Sequence, residues 1–164
     1  MDEECLHDLC NSVSEQKDRV RIALLSKCDD EIKILLGKEK YGWNKGYFNT
    51  CGGSVESLCY VKDAQRELRE EFKIKAVLDK CDYYIPGRII IFILWMEYFD
   101  SSKINEIIKL EMLNDELPPC FKEIEEVKWF NLTDYYVDSN KARISRGSLE
   151  TMKYLLDHIK IKNE

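Results

Sequence analysis

An α+β domain is the fold that the order of hydrophobic patterns predicts, and three observations carry it. Arg19 to Ser26 and Glu31 to Leu36 are short segments rich in Val, Ile and Leu, separated by the polar Lys27-Cys28-Asp29-Asp30, which together predict a hairpin. After a glycine pair, Val61, Ala64, Leu68 and Phe72 recur at three- and four-residue steps and line one face of a helix. Leu149, Met152, Leu155, Leu156 and Ile159 repeat that spacing near the end of the chain and predict a closing amphipathic helix, with Ser148 as its cap.

The segments between follow in order. Tyr41 to Gly46 mixes glycines and an asparagine with aromatics and reads as a loop, and Tyr47 to Thr50 leads into Gly52-Gly53. Lys75 to Lys80 and Arg88 to Tyr98 read as strands joined through Pro86-Gly87, a turn signal that makes them a hairpin. Ser102 to Leu113 has a weaker helical pattern that Pro118-Pro119 ends, and Glu126 to Leu132 is a further strand. No internal repeat interrupts this order.

Length and charge narrow the functional classes. The 164 residues suffice for one core and are too few for two ordinary domains. We divide them into a polar N-terminal extension, 1–18, expected to be solvated, and one domain, 19–164. A net charge of -6 argues against binding extended nucleic acid, because such binding rests on neutralising phosphates with Lys and Arg. A small anion bridged by metal remains compatible. Ile89 to Met96 is the most apolar run and falls far short of the roughly 20 residues that span a bilayer, so no membrane segment is expected. The seven cysteines have no paired framework, which predicts reduced thiols and a cytoplasmic protein. Cys5, His7 and Cys10 resemble half of a zinc site, but no second pair completes it. Oligomeric state has no signal in the sequence.

The chemistry concentrates on the helix from Val61. Glu67, Glu70 and Glu71 project together on the side away from its apolar face, where like charges repel unless a cation joins them. A hard divalent ion such as Mg2+ suits an all-oxygen donor set. Arg66 lies four residues before Glu70 and is spaced to orient it. Composition alone also allows a solvated charged face.

The stretch Gly52-Gly53-Ser54-Val55-Glu56, followed by Arg66-Glu67-Leu68-Arg69-Glu70-Glu71-Phe72-Lys73-Ile74, resembles the Nudix box, G-x5-E-x7-R-E-U-x-E-E-x-G-U with U aliphatic. The core R-E-U-x-E-E is intact, and the resemblance extends from about Arg19 to Ile159. It implies a Nudix fold, a mixed β-sheet sandwiched between α-helices, and hydrolysis of a phosphoanhydride bond with Mg2+ or Mn2+ as cofactor. By that resemblance Glu67, Glu70 and Glu71 are the metal ligands, with Glu67 a ligand or the base and Arg66 beside it. Glu123 is the candidate for an additional carboxylate, with Glu116, Glu125 and Glu126 as competitors. Two departures stand out. The first glutamate of the pattern falls on Leu58, unless Glu56 takes its place in a shortened loop, and the glycine falls on Lys73. Lysine in a left-handed position costs about 1 kcal/mol, so the helix end is expected to adopt another conformation.

Ile34-Leu35-Leu36-Gly37-Lys38, Gly46-Tyr47-Phe48-Asn49 and Gly52-Gly53 are similar to the MutT-type enzymes that sanitise oxidised purine nucleoside triphosphates. That similarity implies conversion of a nucleoside triphosphate to monophosphate and pyrophosphate, with Asn49 and Asp138 reading the base and Gly52 and Gly53 at the substrate. Tyr41 and Trp43 are candidates for stacking on the base. A dinucleoside polyphosphate, a nucleotide sugar, an RNA cap and an inositol pyrophosphate stay open as substrates, with Lys38, Lys40 and Lys45 suited to any of them. A degenerate domain that binds a nucleotide without turnover also stays open.

Overall fold

The computed structural model describes residues 9–10, 16–57, 59–136 and 143–162, with 160–162 described by backbone alone. Leu58, Asp138, Cys5 and His7 therefore lie outside the described residues, and so do the readings placed on them.

Two long strands, β1 (Arg19–Cys28) and β2 (Glu31–Glu39), form the predicted antiparallel hairpin, with Leu25 opposite Ile34 and Cys28 opposite Glu31. The chain continues through β3 (Phe48–Asn49), β4 (Cys51–Ser54), α1 (Tyr60–Phe72), β5 (Asp82–Tyr84), β6 (Ile89–Trp95), α2 (Ser102–Met112), β7 (Ile124–Asn131) and α3 (Arg146–Lys162). These strands make one sheet in the order β3-β2-β1-β6-β5, with β4 also on β1 and β7 also on β2. β1 and β6 run parallel and the other pairs antiparallel, so the sheet is mixed.

Alternation along the strands sends successive side chains to opposite faces. Val20, Ile22 and Leu24 join Val61, Ala64, Leu68 and Phe72 of α1 and Ile104 and Ile108 of α2 in one cluster. Ala23 and Leu25 join Met152, Leu155, Leu156 and Ile159 of α3 in the other. The sheet is thus covered by helices on both faces, the α+β layout that the patterns predict.

Four expectations are corrected. No strand forms over Lys75 to Lys80, because that segment is held by a side chain: buried Leu78 donates its amide hydrogen to Gln65 Oε1 at 2.8 Å. The hairpin around Pro86-Gly87 is made instead by β5, with Tyr84 opposite Ile91. Ser148 does not cap α3. Ser145 precedes the helix, and its hydroxyl accepts the Ser148 amide at 3.2 Å. The extension is not wholly solvated either, since Leu9 is buried in the first cluster and Cys10 packs against it. Among the cysteines, Cys28, Cys51, Cys81 and Cys120 carry free thiols, whereas Cys59 is disulfide-bonded, contrary to the expectation of reduced thiols throughout.

Phe72 is fully buried, and its ring lies where a side chain on Gly37 would sit, since a Cβ built there falls 2.7 Å from Phe72 Cε1. Phe72→Ala is expected to destabilise by about 3 kcal/mol, measured by urea unfolding, because the cavity cannot fill from a glycine neighbour. Magnesium affinity of the folded variant should stay at the wild-type value.

Candidate active site

α1 divides into three faces. The apolar stripe is buried against the sheet, an acidic stripe carries Asp63, Glu67, Glu70 and Glu71, and a basic stripe carries Lys62, Arg66 and Arg69. The acidic stripe is not the solvated side that its composition allows. Glu67, Glu70 and Glu71 are 8%, 7% and 5% exposed, and β4 lies against Glu67 and Glu71 without side chains at Gly52 and Gly53. The Gly52 amide donates to Glu71 Oε1 at 2.9 Å, and a Cβ built on Gly53 would lie 2.5 Å from Glu67 Oε1.

Burial sets the proton affinities. It pushes Glu71 well above the ordinary carboxylate value, against the Gly52 amide, with Glu67 and Glu39 adding repulsion. Glu67 is pushed up to about 7 by burial; Arg66 opposes that rise and Glu70 and Glu123 add to it. Glu123 is exposed at the head of β7 and is also raised, by burial and then by Glu70. Its competitors Glu125 and Glu126 stand elsewhere, at 3.5 and 3.8 Å from Lys38 Nζ.

Arg66 bonds a different carboxylate from the one its spacing suggests. Its guanidinium lies 3.2 Å from Glu67, 2.9 Å from Glu56 and 3.6 Å from Asp63, rather than on Glu70. Asp63, buried beneath, accepts the amides of Glu56 and Ser57 at 3.2 and 3.0 Å and so ties the preceding loop to the helix. Glu56, the alternative to Leu58 in the pattern, therefore meets Arg66 at the edge of the cluster.

Lys73 corrects the expectation about the helix end. It keeps the left-handed conformation, φ 60°, that the pattern's glycine would supply, and its amide closes on Leu68 O. The cost is offset by its ammonium, which donates to Glu70 O at 2.5 Å and Phe121 O at 2.7 Å and lies 3.5 Å from Glu111. These bonds join α1, α2 and the turn before β7, and they hold the backbone of Glu70 in place.

The proposed substrate residues are distributed unevenly. Gly52 and Gly53 line a small cleft of about 30 Å³ together with Arg19, Val20, Arg21, Asn49 and Thr50. Asn49 is occupied internally: its Oδ1 accepts from Thr50 N at 3.1 Å, from Ser145 Oγ at 3.0 Å and from Ser148 Oγ, and its Nδ2 donates to Glu39 at 3.4 Å. It fastens β3 and β4 to the start of α3. Tyr41 is 58% exposed and Trp43 fully so, and neither borders the cleft.

Two site residues have no signal in the sequence pattern. Glu39 at the end of β2 is raised by burial and then by Glu123, against the bond from Asn49, and adds to the repulsion felt by Glu71. Arg21 on β1 donates to three neutral oxygens, Gly147 O at 3.2 Å, Thr151 Oγ1 at 3.1 Å and Thr50 Oγ1 at 3.5 Å. Strand alternation assigns both a face, but only strand pairing brings Arg21 to this cleft and Glu39 to Asn49 beside it.

No family model matches the chain and no curated protein matches it in sequence. Solved structures do match. The NUDIX domain of NrtR from Shewanella oneidensis, complexed with ADP ribose, is 14% identical with a TM-score of 0.59, over 91% of this chain and 92% of that one. RenU, a Nudix hydrolase from M. Smegmatis, is 11% identical with a TM-score of 0.56, over 88% and 87%. An Ap4A hydrolase from C. elegans is 16% identical with a TM-score of 0.50, over 85% and 98%. The chain has the Nudix fold.

Within the Nudix fold the box resemblance corresponds to a β4–loop–α1 unit that sets Glu67 and Glu71 against two glycines. The donor set fits a hard cation: oxygen ligands, an excess of buried acid, and burial that disfavours charge without a positive partner. Among the described residues, no three His, Cys, Asp or Glu side chains converge on one point in metal-holding geometry. Among them, too, no helix is long and apolar enough to cross a membrane.

Proposed function

We propose that this Nudix-fold chain hydrolyses a phosphoanhydride bond in a nucleoside triphosphate or related nucleoside diphosphate derivative, with Mg2+ or Mn2+ as cofactor. The observation that carries the reading is the burial of Glu67, Glu70 and Glu71 together on α1, with Glu67 against Gly53 and Glu71 bonded by the Gly52 amide, an arrangement costly in a protein that never binds a cation there. Glu67, Glu70 and Glu71, with Glu123 at the rim, are the residues that would hold the ion. When bound, the ion would neutralise charge developing on the phosphate oxygens.

Glu67, with its proton affinity brought to about 7, is suited to hold and return a proton at Oε1 near neutral pH, and Arg66 orients that carboxylate. Arg21, which donates to the neutral oxygens of Thr50, Gly147 and Thr151, borders the cleft beside Gly52 and Gly53 and would offer positive charge to an anionic substrate at its mouth. The ligand of one structural neighbour, ADP ribose, and the compound for which another is named a hydrolase, Ap4A, are both adenosine joined to another group through phosphoanhydrides. They favour this substrate class. The base-reading role of Asn49 and Asp138 stays within this proposal in a weaker form, because the Asn49 amide already has four partners.

A binding-only reading is favoured by one observation, the lack of a preassembled metal shell among the described residues. Product mass and phosphate release, measured on a panel of purine and pyrimidine triphosphates, a dinucleoside polyphosphate and ADP ribose with and without magnesium, separate the two. Magnesium-dependent cleavage at a phosphoanhydride is expected. Tight binding with no cleavage of any member would reject the enzyme reading.

A further inference from the structure

Lys73 stands where the Nudix box pattern has a glycine, and its backbone closes the helix as that glycine would. Its side chain adds what a glycine lacks. The side chain is 4% exposed, and the three N–H groups of its ammonium meet three acceptors: Glu70 O on α1 at 2.5 Å, Phe121 O at 2.7 Å and Glu111 Oε1 on α2 at 3.5 Å. A charge buried this deeply, with every donor matched, has one place to sit and fixes the groups that it bonds.

On its far side it fixes the 3-10 turn Pro119–Phe121, which buries none of its own residues. That turn meets α1 through polar contacts: the Lys73 bond to Phe121 O, the Cys120 thiol against Glu70, and the cations of Arg69 and Lys73 over the Phe121 ring, 5.9 and 5.5 Å from its centroid. Glu123 follows two residues later. Its carbonyl accepts from Lys40 N at 2.9 Å at the end of β2, while its carboxylate is exposed and repelled by Glu70. Repulsion drives Glu123 away from the cluster, and the single nitrogen bridging Phe121 O and Glu70 O opposes it.

On the reading that Glu67, Glu70, Glu71 and Glu123 would hold a divalent cation, which this role presupposes, we propose that Lys73 is a positioning residue for that site: it keeps Glu123 beside Glu70, so that the rim carboxylate joins the ligands on α1. A glycine in its place would close the helix equally well and leave the turn before β7 without this bridge.

Manganese binding to the full chain, followed by the EPR signal of free Mn2+, tests the role without turnover. K73G suits the φ of 60° and removes the ammonium, whereas K73M removes the ammonium and keeps the aliphatic stem. Both are expected to bind Mn2+ about tenfold more weakly than wild type, as when a residue that orients a metal ligand is lost. In the E123Q background K73G is expected to change affinity by no more than about twofold, because the carboxylate it positions is gone. A lysine that only stabilised the fold would weaken binding equally in both backgrounds, and that result would overturn the proposal. So would wild-type affinity in either K73G or K73M. No Mn2+ binding by wild type at millimolar metal would remove the cation site and this role together. Coupling of Lys73 to Glu123 in a protein that cleaves no phosphoanhydride would uphold the role and reject only the hydrolase reading.

Discussion

Replacing Glu70 or Glu71 by Gln is expected to lower turnover at least about a hundredfold, while Glu71→Gln and Glu67→Gln are expected to make the metal-free protein harder to unfold at pH 8. The two effects have one origin. Each carboxylate offers a full charge to a bound cation, and its removal takes away stabilisation that the reaction needs. Without the cation that same charge is a burden on the fold. The folded protein holds a proton on Glu67 up to about pH 7, compared with 4.5 for the free side chain.

Below that unfolded value both states are protonated and nothing is lost. As pH rises from 4.5 to about 7 the unfolded chain releases its proton first, and the folded state becomes relatively less stable. Above the folded value the penalty is complete, at about 3 kcal/mol for a shift of this size. Glu71 shifts in the same direction, from deeper burial. Thermal unfolding in EDTA should therefore show Glu67→Gln and Glu71→Gln above wild type at pH 8 and converging with it toward pH 4.5. Magnesium should then raise the melting temperature of wild type and leave Glu71→Gln nearly unmoved. If both Glu70→Gln and Glu71→Gln fold like wild type and keep near-normal magnesium-dependent turnover, the metal assignment is wrong.

What could be read from the sequence, and what could not, follows the range of the interactions concerned. The β1–β2 hairpin and the register of α1 rest on local periodicity, and Phe72 lies on the face its spacing assigned. Residues 75–80 carry the apolar residues of a strand without pairing as one, because Leu78 donates its amide hydrogen to Gln65 Oε1. That partner is a side chain on α1, which strand propensity does not register. Ser148 has the composition of a cap, but Ser145 is the residue positioned before the first turn, and Ser148 turns to Asn49 and Thr50 instead. The acidic stripe was legible as residues and not as an environment. The burial of Glu67 and Glu71 depends on β4 crossing above them, and Arg21 reaches the cleft, and Glu39 its neighbour Asn49, only through strand pairing.

Gly52→Ala and Gly53→Ala, adjacent substitutions of the same size, are expected to fail in different ways. A Cβ on Gly52 collides with the Val20 carbonyl oxygen and lies 2.9 Å from Arg21 Cα, and its φ of 154° falls outside the usual range for a side-chain-bearing residue. Neither obstacle is the end of a flexible group. β4 must move away from β1, breaking the Gly52–Arg21 register and the amide bond to Glu71. A loss of roughly 3 kcal/mol or more is expected in urea unfolding, with activity falling because the fold does. At Gly53 the new Cβ meets only the Glu67 carboxylate, 2.5 Å from Oε1 and 2.8 Å from Cδ. That group can rotate, so the fold should survive with a loss of about 1 kcal/mol, while Glu67 is pushed from its place beside Arg66. Turnover should fall at least tenfold in the folded variant, since a displacement of about 1 Å at a reacting group can cost a hundredfold. Unfolding curves and steady-state rates on the same preparations decide the matter. A Gly53→Ala protein with wild-type turnover would show that Glu67 does not act from the position it occupies beneath β4.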